Sequence, residues 1–140
     1  MKIIDWKTIP DELLIIRGKA QKDLYQQSII SFMQQLPQVA YMEPLLGSVI
    51  TEAFGVHVGG VVASGLCAYR PWKTSGVTLY TWNEARMVTI VIHTCKEVDW
   101  APVRDFVVDF WKFSEYQQYV VSMKNQVIRT QADGDNRSGW

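Results

Sequence analysis

The chain has 140 residues, a length that suits one domain around one core. Lys plus Arg number 14 and Asp plus Glu 14, so the formal net charge is zero, which argues against the basic face of a nucleic-acid-binding protein. With 48% hydrophobic residues the chain is no disordered linker, and its two cysteines, Cys67 and Cys95, make no disulfide framework.

Two reduced thiols fit a cytoplasmic protein. The start, Met1 to Trp6, carries no apolar core of signal-peptide length. No apolar run approaches the roughly 20 residues of a membrane-spanning helix, so no membrane role is expected.

Residues 1–12 form a mixed lead-in with Pro10. Leu13 to Gly18 is a short apolar run stopped by glycine and predicts a buried strand. Residues 20–36 change period: Tyr25, Ile29, Phe32 and Leu36 make one stripe of an amphipathic helix, which Pro37 is expected to end. Residues 44–54 predict a second strand with Gly47 at a bend, and residues 56–69 a third with several glycines. Arg70 to Thr74 reads as a loop.

Residues 75–95 read as two β-branched strands around a polar turn. Asp99 is a helix N-cap, Pro102 fits the first turn, and Val103, Phe106, Val107, Phe110 and Trp111 form an apolar face. Tyr119 to Met123 starts a last strand. Few helices between adjoining strands imply an α+β domain: a two-layer αβ sandwich, an antiparallel sheet with two helices on one face. One domain is expected over residues 1–130, with residues 131–140 a polar tail.

The 75–95 hairpin gathers the chemistry. Alternation puts Tyr80, Trp82 and Glu84 on one face. A symmetric turn near Asn83–Arg86 pairs Trp82 with Met87 and Tyr80 with Thr89, and brings His93 and Cys95 to the same face. Aromatics, a carboxylate, an imidazole and a thiol make a poor core, so this face should be the one without helices. Each residue also has an ordinary use: Tyr80 and Trp82 as cross-strand packing, His93 as a structural group, Cys95 as a small hydrophobe. No zinc spacing, phosphate loop or hydrolase triad is present, and no metal is expected.

The same residues resemble the bacterial S-adenosylmethionine decarboxylases. Ser75-Gly76-Val77-Thr78-Leu79-Tyr80-Thr81-Trp82-Asn83-Glu84, followed by Thr94-Cys95, is similar to that family's Ser-His-x-x-x-His-Thr-Trp-Pro-Glu and later Thr-Cys. Val98-Asp99-Trp100 resembles its Val-Asp-Pro-Trp, and Ala63-Ser64-Gly65 its Val-Ser-Gly, given an insertion around Arg70–Lys73. The resemblance implies a lyase of polyamine biosynthesis that cleaves itself before Ser75 and leaves a pyruvoyl cofactor there. Ser64 would assist processing, Cys95 would protonate the decarboxylated carbanion, Glu84 would hold the ribose hydroxyls and Trp82 would line the site. It also implies a homodimer or higher homo-oligomer with sites near the subunit contact.

Three residues depart from the family pattern. Thr74 replaces a glutamate, Gly76 a histidine, and Tyr80 the histidine that helps the ester eliminate. Tyrosine, with a pKa of about 10, is a poor base at neutral pH. Two alternatives therefore stand beside the decarboxylase. One is an unprocessed relative that binds, sequesters or cleaves S-adenosylmethionine, giving methylthioadenosine and homoserine lactone. The other is an assembly domain with no small-molecule role.

Overall fold

A computed structural model describes residues 3–131; the expected 131–140 tail lies outside it apart from Gln131. The elements are β1 (Glu12–Ala20), α1 (Gln26–Ala40), β2 (Val49–Val58), β3 (Val61–Trp72), β4 (Ser75–Trp82), β5 (Met87–Thr94), α2 (Trp100–Trp111), β6 (Phe113–Ser122) and β7 (Val127–Gln131). Short 3-10 turns cover Trp6–Thr8 and Asn83–Ala85. The strands form one seven-stranded antiparallel sheet in the order β2-β3-β4-β5-β1-β6-β7. With two helices beside this sheet, the protein is the α+β sandwich expected from its pattern.

Alternation decides which face the helices cover. In β1, Leu14, Ile16 and Ala20 are fully buried, as are Val88, Ile90 and Ile92 of β5 and Val77 and Leu79 of β4. These join Ile29, Phe32, Met33 and Leu36 of α1 and Val103, Val107 and Trp111 of α2 in one core. Phe32 touches Phe106, Phe110 and Trp111, so the helices interlock through aromatic rings. Asp99 caps α2 as expected, its carboxylate accepting from the Ala101 N–H.

Pro37 does not end α1. The helix begins later than expected, at Gln26, and continues through Pro37 to Ala40, with Tyr41 in the left-handed region at its C-cap. A proline inside a helix frees the carbonyl four residues back. Here that carbonyl, Met33 O, accepts from Arg70 Nη1 at 2.6 Å, and Arg70 Nε donates to Leu46 O. Arg70 therefore belongs to β3, not to a loop, and so do Pro71 and the buried Trp72. Only Lys73 and Thr74 remain as the turn before Ser75.

The strands before it shift too. β2 runs on to Val58, and Gly59-Gly60, both at positive φ, make its turn into β3. Gly47 precedes the strand it was expected to bend. In the last strand region, β6 starts at Phe113, well before Tyr119, and β7 is an additional strand.

Candidate functional site

The hairpin register is the one the sequence implies: Trp82 pairs with Met87, Tyr80 with Thr89 and Thr78 with Val91. Val77, Leu79 and Thr81 are buried on the helix side. Thr78, Tyr80 and Trp82 therefore face away from the helices, where Tyr80 is 39% exposed. His93 shares that face, but at the far end, opposite Gly76. Its Nε2 lies 3.2 Å from Asp11 Oδ1, which ties the lead-in to β5.

At the Trp82 end, Glu84 sits in the Asn83–Ala85 turn. Its Oε1 accepts from the Ser64 backbone N–H at 2.6 Å and its Oε2 from the Ser64 hydroxyl at 2.8 Å. These bonds, the backbone one first, hold its carboxyl below the usual carboxylate range. Gly65 makes the contact reachable. A Cβ there would stand 1.7 Å from Thr81 O, so only glycine lets β3 pass so close to β4. Leu66 N–H then donates to Thr81 Oγ1, locking the crossing. The result is a fixed, exposed carboxylate two residues after Trp82, and each oxygen retains accepting capacity.

Ser75 and Cys95 lie at the other end. Ser75 opens β4 and Trp82 closes it, seven steps apart, or about 24 Å at roughly 3.4 Å per residue. Ser64 is therefore remote from Ser75 and neighbours Glu84 instead. Cys95 Sγ is 3.0 Å from Thr74 Oγ1, next to Ser75. Thr74 has φ 57°, a strained conformation for a β-branched residue, and the buried Ser75 Oγ has no hydrogen-bond partner among the described residues. Tyr80 is five residues further along β4 and on the opposite face, so it cannot reach this hydroxyl. Gly76 is roofed by Tyr69, whose hydroxyl would lie 3.2 Å from an added Cβ, leaving little room for the histidine of the family pattern.

The expected site residues thus separate into Ser64, Trp82 and Glu84 at one end, Thr74, Ser75 and Cys95 at the other, and Tyr80 between them. Two further residues on the uncovered face, Arg17 and Lys19, belong to no recognisable motif. Their alternation with the buried Ile16 and Ala20 was the available signal. A concavity of about 800 Å³ runs along α2 past Asp105, Phe106 and Asp109, away from all these residues. Among the described residues no three His, Cys, Asp or Glu side chains are grouped to hold a metal, and no helix is long and apolar enough to cross a membrane. No protein-family model matches the chain, and no curated protein matches it.

Proposed function

We propose that the chain binds S-adenosylmethionine, or a closely related nucleoside sulfonium, as an unprocessed polypeptide. The observation that carries the proposal is the Ser64–Glu84 pair. A carboxylate fixed by two donors and still open to solvent suits the two hydroxyls of a ribose. Trp82 and Tyr80 on the adjoining face supply aromatic surfaces for the adenine and the sulfonium, since ring quadrupoles attract cations.

The pyruvoyl route receives less support. The strain at Thr74 and the free Ser75 hydroxyl favour an acyl shift, but Tyr80 and Ser64 are both out of reach of that hydroxyl. A pyruvoyl group at Ser75 would also lie about 24 Å along β4 from Trp82. Chemistry open to the intact chain is of the lyase type. One oxygen of the substrate's own carboxylate attacks the carbon bearing sulfur, the C–S pair leaves as neutral methylthioadenosine, and homoserine lactone closes. No outside base or oxidant is needed; the site folds the substrate and holds its charge. The homodimer expected from the resemblance belongs to this proposal only where it leaves the Glu84 end open.

Calorimetric titration of the intact chain with S-adenosylmethionine tests the reading. Saturable binding is expected, with Glu84→Gln weakening it by at least about ten-fold, the scale of lost hydrogen bonds to a charged group. Absence of binding to the wild-type chain, or binding indifferent to Glu84→Gln, defeats it. Chromatography of the same mixtures reads whether methylthioadenosine and lactone appear.

A further inference from the structure

A groove of about 420 Å³ adjoins the Glu84 turn and has no part in the reading above. It is lined by Arg17 and Lys19 of β1, Ala85 and Met87 of the hairpin, and Glu115 and Gln117 of β6. We propose that this groove seats the carboxylate of the ligand's amino-acid end, with Arg17 as the recognising cation and Lys19 beside it. The proposal rests on the Glu84 reading, because the nucleoside end must lie on Trp82 and Glu84 for the other end to arrive here.

Strand register supplies the geometry. Tyr80 pairs with Thr89, Thr89 with Arg17, and Arg17 with Gln117, making one row across four strands. The next row runs Trp82, Met87, Lys19, Glu115. Two strand spacings separate Tyr80 from Arg17, roughly 10 Å between backbones, a gap that the ligand's own amino-acid chain has to cross. Between them stands Thr89, a short side chain, so the floor is low where a ligand would cross from aromatic to guanidinium.

The electrostatics select an anion. Arg17 Nε and Nη2 both donate to Gln117 Oε1, at 3.0 and 2.8 Å. A neutral amide thus fixes the guanidinium without cancelling its charge. Among the described residues neither Arg17 nor Lys19 has a carboxylate within 4.0 Å, although Glu115 stands opposite Lys19 in the register. The other cations nearby are committed. Arg86 donates to the carbonyls of Ala20 and Lys22, and the Lys22 ammonium lies 3.7 Å above the Phe110 ring. The lining therefore holds two cations against one carboxylate, and a planar guanidinium matches a carboxylate edge. A carboxylate held through one oxygen keeps the other for ring closure.

Comparing S-adenosylmethionine with its decarboxylated form, which keeps nucleoside and sulfonium but lacks the carboxylate, tests the groove. The wild-type chain should prefer S-adenosylmethionine by about ten-fold, the scale of one charge-assisted contact. Arg17→Met should bind both equally, with affinity for the decarboxylated form unchanged; Arg17→Lys should keep part of the preference. Circular dichroism checks that both variants are folded. A preference that survives in Arg17→Met, or equal weakening of both ligands, overturns the groove and leaves the Glu84 reading standing if the decarboxylated form still depends on Glu84. Failure of both ligands to bind the wild-type chain overturns both readings.

Discussion

Glu84 is exposed, yet each of its oxygens accepts from a donor of Ser64, and this sets its titration. The folded carboxyl ionises below its ordinary value of 4.5, so the contact favours folding above that value and the contribution fades as pH falls through the lowered one. Ligand binding that needs the carboxylate should be flat through neutral pH and fail only on the acid side. Ser64→Ala removes the hydroxyl donor and keeps the backbone one, so Glu84 should titrate part of the way back toward 4.5. Carbon-detected NMR of the Glu84 carboxyl reads this directly, and an unchanged midpoint in Ser64→Ala refutes it. At this scale the sequence was informative about faces but not about partners. Period-two alternation put Tyr80 and Trp82 on one face of β4, whereas Glu84 lies beyond the strand in a 3-10 turn, and its bond to Ser64 depends on how closely β3 passes β4, which hinges on one glycine, Gly65.

Elements were legible where one period ran uninterrupted and obscure where a residue's usual local effect was overridden from afar. β1, the 75–95 hairpin and α2 follow their patterns closely. Pro37 and Arg70 do not, and they fail together: the carbonyl that Pro37 leaves free in α1 is satisfied by Arg70, which is therefore drawn into β3. No local rule links residues 33 positions apart in the sequence. Removing Arg70 strands a half-buried carbonyl and loses a hydrogen bond from a charged donor, a cost of about 1–3 kcal/mol. Arg70→Met should therefore lower the urea midpoint without changing the slope. Pro37→Ala restores an N–H to Met33 O, so Arg70→Met should cost clearly less in that background. If the two substitutions simply add, the pairing has no energetic weight and the continuation of α1 past Pro37 needs another cause.

For the whole molecule, the main consequence of the fold is distance. A single sheet lays the chain's reactive groups along one hairpin, and the two ends of that hairpin hold different chemistry. A linear motif matches across residues 75–95 because sequence spacing carries no statement about extension; as strand, the same spacing puts Ser75 and Trp82 about 24 Å apart. The Ser75 end has a strained Thr74, a Ser75 hydroxyl without a hydrogen-bond partner among the described residues and Cys95 close by, while its imidazole, His93, lies on the opposite face beside Asp11. The Glu84 end has the platform, the fixed carboxylate and the adjoining cationic groove, but no self-cleaving serine. If function resides at the Glu84 end, the chain has no use for cleavage. Prolonged incubation at neutral pH should then leave one species at the intact 16.1 kDa. Ser75→Ala should bind S-adenosylmethionine as the wild type does. Fragments parting between Thr74 and Ser75, with binding or turnover lost in Ser75→Ala, would return the functional centre to the start of β4. Such a result would require a second copy to bring Ser75 and Glu84 together, because one sheet cannot.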